Sequence, residues 1–364
     1  MKDTKIIKEL KERFPATDIW LDSMIEEDVE YALRNGFLGT TTSPTITPKA
    51  IEAEMDLWKD YMNIVYRNNP TINERELLWE AMYHFSRKRS EIWKPIFKKG
   101  EFSGHFCIQA NVYDFNNAER IIEQARRIHG LNENFMIKIP VTEGGVKAIE
   151  QIIYEGHSVM STGSGSVAQI KAACEAMYRG LARREAEGLD NSAIVLAAAF
   201  QLGLPEQCYN VYVKENNIDI TSEALEYAGV AVVKKAYNMI QEKYPKVNLV
   251  LSNFVTEKHL TELMGGKVML TISPKHIDDL ESYTITNKID TPVKKEYIDE
   301  LLEKIPFYKK AYQEDGMKIE EFIEFEGFIR TLNHFMNKYD GAIRVARSVI
   351  IPDDYDRTGT ASNY

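Results

Sequence analysis

The chain has 364 residues, 44% of them hydrophobic, 10% aromatic and 27% charged, which is enough for a sizeable buried core. Forty-five basic and 55 acidic residues give a net charge of −10, which argues against a broad nucleic-acid surface, although a local basic patch could still hold a small anion. No run of about 18 apolar residues is present, and the opening MKDTKIIKELKERF lacks the apolar stretch of a signal peptide, so neither membrane nor export is expected.

Short apolar runs alternate with segments of helical apolar spacing along most of the chain. The runs at 19–22, 37–42, 105–110, 135–140, 157–162, 194–200, 249–252 and 268–272 read as strands. Helices are expected at 117–129, 144–154, 166–187, 223–243 and 256–264. Eight such strands with helices between them fit a closed parallel (β/α)8 TIM barrel better than an open sheet. Two insertions interrupt the alternation: two or three helices from 48 to about 100, and a helical extension over 294–350. No linker or repeat splits residues 1–350, which read as one domain, and 351–364 reads as a polar tail. Cys107, Cys174 and Cys208 are scattered without CxxC spacing, as expected of reduced thiols in a cytoplasmic protein. The histidines show no paired ligand motif, so neither metal nor organic cofactor is expected.

Polar residues recur where the apolar strands end. FMIKIP sets Lys138 between Ile137 and Ile139. A lysine buried there has a lowered pKa and supplies a neutral amine, whereas one that leans outward is an ordinary solvated side chain. IWLD ends in Asp22, HFCIQAN carries Gln109 and Asn111, GTTTSP offers Thr41, Thr42 and Ser43, and HSVMST ends in Ser161 and Thr162. In a parallel barrel these strand ends meet on one face, where a carboxylate, amides and hydroxyls around an amine suit Schiff-base chemistry. STGSGS at 161–166 could cradle an anion at a helix N-terminus, but it lacks the Walker lysine and reads equally as a flexible loop. Trp58, Trp79 and Trp93 fall on helical patterns and read as core or as a dimer face.

Four motifs in chain order resemble the transaldolase family. GTTTSPTI resembles the family's G-x-T-T-N-P-S signature, and MIKIPVTEGGVKAIE resembles the strand that bears its Schiff-base lysine. IWLD resembles the first-strand aspartate segment, and LMGGKVMLTISPK the last strand and its loop. SVAQIKAACEA, YRGLARREAEG and AGVAVVKKAY are similar to helices of the longer bacterial branch, and the likeness runs from about Asp18 to Ser282. The resemblance implies Lys138 as the amine that attacks a ketose carbonyl and Asp22 as general acid/base. It also implies Gln109 and Thr162 as holders of a catalytic water, and substrate contacts from Thr41, Thr42, Ser43, Asn111 and Ser161. A dihydroxyacetone unit would then pass from a ketose to an aldehyde or, in the alternative of a plain aldolase, be released. Longer family members are often dimers.

The chain departs from the family pattern at Ser43 and Met160, where asparagines are usual, and at Leu204 and Val255, where phosphate-binding arginines are usual. Losing a bidentate phosphate partner weakens binding by several kcal/mol. Three readings stay open: Lys214, Lys258 or Lys275 supplies the charge, the substrate is a non-phosphorylated ketose, or the chain is a sugar-binding protein on an enzyme's scaffold.

Overall fold

In the computed structural model, which describes residues 3–351, eight parallel strands close in sequence order into a barrel. They are β1 (Asp18–Asp22), β2 (Gly39–Thr41), β3 (His105–Gln109), β4 (Phe135–Pro140), β5 (Val159–Ser164), β6 (Leu196–Gln201), β7 (Val247–Ser252) and β8 (Val268–Ile272). β8 pairs back to β1, from Asp18↔Met269 to Leu21↔Ile272. The expected (β/α)8 barrel is present, with every expected strand in place. β5 differs most: it starts two residues late and runs through Ser164. Much of the expected STGSGS loop is therefore strand, and its register with β6 shifts between Ser161 and Ser164. The helix expected over 223–243 breaks at Tyr227 into Ser222–Glu226 and Ala228–Lys243.

Strand alternation sorts the core into two layers. Trp20, Cys107, Met136, Met160, Ala197, Ala199, Val250 and Met269 point inward and fill the barrel. Their neighbours, such as Leu21, Ile108, Ile137, Ile139, Val159, Phe200, Leu251 and Leu270, pack outward under the helices. Gly39 is needed because Trp20 fills the centre: a Cβ at Gly39 would lie 2.8 Å from both the indole ring and the His105 carbonyl.

The first insertion forms helices Ile46–Ala53, Met55–Asn68 and Glu74–Trp93 between β2 and β3. Trp58, Trp79 and Trp93 are all buried there, and Trp93 donates its indole N–H to Thr40 Oγ1 at 3.0 Å. After β8 the last helix among the described residues is the 25-residue Glu326–Ile350, which packs on the insertion helices, on the Gly203–Glu215 helix after β6 and on β5. Arg347 clamps it to Glu74 through two hydrogen bonds of 2.5 and 2.7 Å, and Tyr113 donates to Asp340. The tail expected over 351–364 lies outside the described residues apart from Ile351. Among the described residues no helix is long and apolar enough to cross a membrane.

Three imidazoles sit toward the opposite end of the barrel. His129 and His157 stack with centroids 4.2 Å apart, and burial pushes His129 down to about 3 and His105 down to about 4. Both are neutral when folded and gain a proton on unfolding below the ordinary histidine pKa. Stability is therefore lost as pH falls from about 6.5 toward these values, by about 1.4 kcal/mol per pH unit for each. Thermal melts from about pH 7 to about pH 5 are expected to show a falling Tm, and His129→Phe is expected to flatten that slope. An unchanged slope in the variant would remove His129 from the account.

Candidate active site

The inward series of β1, β3, β4, β5, β6 and β8 each continue, two residues on, into a polar side chain. Trp20 leads to Asp22, Cys107 to Gln109, Met136 to Lys138, Met160 to Thr162, Ala199 to Gln201 and Met269 to Thr271. On β2, Thr41 pairs with Asp22 in the same register. A strand's two-residue period thus places a polar ring at one end of an apolar barrel interior. The expected set Asp22, Gln109, Lys138 and Thr162 belongs to this ring.

Lys138 is 5% exposed, and its Nζ donates to the Thr42 carbonyl at 2.9 Å. Burial pushes its ammonium below the ordinary lysine range, and the nearby Asp22 carboxylate and then Cys107 oppose this. Cys107 cannot act as a counter-ion near neutrality, because burial pushes its thiol up to about 12. Asp22 is raised by burial and pulled back by Lys138, by its hydrogen bond from Thr41, and by Lys49 and His276. Thr41 Oγ1 donates to Asp22 Oδ1 at 3.2 Å and lies 2.6 Å from Thr271 Oγ1. Thr41 has one proton and gives it to Asp22, so Thr271 donates to Thr41. The arrangement couples a desolvated amine to a carboxylate steadied by two hydroxyls. A neutral amine donating one N–H to Thr42 keeps its lone pair free for attack on a carbonyl.

The remaining expected contacts divide. Thr41 lies in the ring, and Thr42 holds Lys138 through its backbone. Ser43 Oγ pairs locally with Thr45 Oγ1 at 2.7 Å. Asn111 does not reach the ring: it caps the short 3-10 turn Val112–Asp114, accepting from the Tyr113 N–H at 3.2 Å and donating to Asp114 at 3.0 Å. Ser161 alternates with inward Met160 and shares the outward face with Val159, so it is a helix-side residue rather than a substrate contact. The N-terminus after STGSGS is closed as an anion cradle, since Gln169 Oε1 accepts from Gly165 N and Ser166 Oγ, both at 3.0 Å.

Sequence reasoning missed Gln201 and Thr271. Thr271 carries the same signal as Lys138, a polar residue between Leu270 and Ile272. Gln201 fell just past the expected end of its strand, and its buried Oε1 has no partner. Leu204 and Val255 lie on the rim after β6 and β7. Leu204 is buried, with its N–H bonded to Asn253 Oδ1 at 2.8 Å, and Val255 is 52% exposed. Of the lysines considered for the missing charge, Lys258 pairs with Glu226 at 2.6 Å, and Lys214 is exposed at the far end of its helix. Lys275 is the third residue after β8 and is exposed.

Comparison with known proteins agrees with this barrel. The family described as Transaldolase/Fructose-6-phosphate aldolase matches residues 19–324. "Transaldolase 2" of a Nostoc species is 26% identical, over 91% of this chain and 96% of that protein. "Transaldolase 2" of Nostoc punctiforme is 25% identical over the same shares, and "Transaldolase" of Neisseria gonorrhoeae is 29% identical over 50% of this chain and 53% of that protein. With the matched region running from β1 to beyond β8, the chain belongs to the transaldolase/fructose-6-phosphate aldolase family and is an enzyme of the transaldolase, class I aldolase kind.

Proposed function

We propose that this enzyme works through a Schiff base on Lys138 and transfers a dihydroxyacetone unit from a ketose to an aldehyde acceptor. The observation that carries the reading is the buried Lys138 amine, lowered by desolvation and set in the field of Asp22. The amine adds to the ketose carbonyl, and the carbinolamine loses water to give an iminium ion. Asp22 takes the C4 hydroxyl proton as the C3–C4 bond breaks, and its electron pair moves into the iminium to leave an enamine. The departing aldehyde is replaced by the acceptor, the enamine carbon attacks it, and Asp22 returns the proton to the new alkoxide. Water then hydrolyses the iminium and frees Lys138. In this reading Gln109 on β3 and Thr162 on β5 hold the water that enters and leaves.

A second reading, that the ketose is not phosphorylated, is favoured by the rim after β6 and β7. Leu204 and Val255 offer no cation there. One turn from the start of its helix, the buried carboxylate of Glu206 accepts from Gly229 N at 2.8 Å and lies 2.7 Å from His259 Nε2. A buried carboxylate beside apolar side chains repels a phosphate dianion. A phosphorylated ketose would instead place the enzyme in the pentose phosphate pathway.

Intact mass after borohydride reduction, with fructose, fructose 6-phosphate and dihydroxyacetone in turn, tests both readings. One three-carbon adduct on Lys138 is expected, formed from fructose at least about tenfold faster than from its 6-phosphate. Equal rates would return the substrate to sugar phosphates. No adduct from any of the three would leave a sugar-binding protein on this scaffold.

A further inference from the structure

Three polar atoms that lack a hydrogen-bond partner belong to residues around one small chamber beside the β3 end. They are Gln109 Oε1, the indole Nε1 of Trp79 and the phenol oxygen of Tyr339. Their residues are 6%, 7% and 2% exposed, and all three line a chamber of about 10 Å³ together with Thr42, Ser43 and Met82. Each residue arrives on a different element: Gln109 on β3, Trp79 on the insertion helix Glu74–Trp93, and Tyr339 on the C-terminal helix Glu326–Ile350. The indole N–H and the phenol oxygen are neighbours without closing a hydrogen bond.

Buried polar groups without partners are rare, and three around one cavity call for a common partner. The volume suits one water, which needs two to four polar neighbours. An indole only donates, an amide oxygen only accepts, and a phenol does either. A water there accepts from Trp79, donates to Gln109 Oε1 and completes its bonds with Tyr339. We propose that this chamber binds a single structural water, and that Tyr339 and Trp79 act through it as positioning residues for the Gln109 amide. The buried end of the Gln109 amide without a partner is its oxygen, which only accepts, so the water meets it as a donor. With Oε1 engaged in the chamber, the Nε2 end is left as a donor for the reacting groups. The inference rests on the reading of Gln109 as a holder of the catalytic water.

The test pairs Tyr339→Phe and Trp79→Phe with Gln109→Leu. Each aromatic variant is expected to lower kcat about tenfold with KM little changed, because a misplaced group costs the transition state more than the bound substrate. In the Gln109→Leu background the aromatic changes are expected to add nothing, whereas additive losses or an unchanged kcat would overturn the proposal. A readout independent of activity separates it from the Schiff-base reading. With a bound water, Tyr339→Phe removes a used hydroxyl and lowers Tm. Without one, deleting an unpaired buried hydroxyl raises Tm, and that result overturns the proposal even if Lys138 forms its adduct.

Discussion

Lys138→Met is expected to abolish turnover, by on the order of 10⁴-fold or more, and to leave no borohydride-trapped adduct with any ketose. The same change is expected to raise Tm. Lys138 stands inward beside Met136 and Met160, where an unbranched apolar side chain of similar length fills the space without the cost of desolvating an amine. Loss of activity with gain of stability is the signature of a residue kept for chemistry. A variant that is inactive because it is misfolded would show the opposite melt. The lowered lysine adds a pH signature: free amine accumulates as pH rises through a pKa below the ordinary 10.5. Adduct formation should therefore climb and level off before that point. A rate still climbing through it would mean an ordinary exposed lysine.

Asp22→Asn separates bond cleavage from imine formation. The amide cannot take the C4 hydroxyl proton, so cleavage of a ketose is expected to slow by about 10²- to 10⁴-fold. Dihydroxyacetone has no C3–C4 bond to break, and its trapping on Lys138 should persist within about tenfold of the native rate. Removing the carboxylate also takes away the charge that favours the ammonium, so the acid limb of dihydroxyacetone trapping should move to lower pH. Equal loss of both reactions, with the limb unmoved, would assign Asp22 to holding the barrel together and leave the base elsewhere.

The barrel was legible in the sequence because each strand is an apolar run short enough to count and flanked by helical spacing. Polar residues stood out where the apolar strands end, and the transaldolase resemblance picked out Asp22, Gln109, Lys138 and Thr162 among them. Position at a strand end does not say which face a side chain takes: plain alternation turns Ser161 outward with Val159, and a turn after β3 carries Asn111 away from the ring. Gln201 was lost because its strand was ended one residue early, at Phe200. Tyr339 and Trp79 had no local signal. Their meeting depends on how two helices more than 200 residues apart lean over the strand ends, and that is set by packing of the whole domain.

The long helix Glu326–Ile350 forms part of the wall around Gln109, and this has a consequence for how the enzyme comes into being. A ribosome delivers β1 to β8 well before Glu326–Ile350, and domains tend to fold from the end made first. The strands that present Lys138 and Asp22 are thus made before Tyr339, Asp340 and Arg347 can lock the cover in place. Until then the amine stands in a half-built vessel, open to water and to passing carbonyl compounds. Reactivity under control begins only when synthesis reaches Glu326–Ile350.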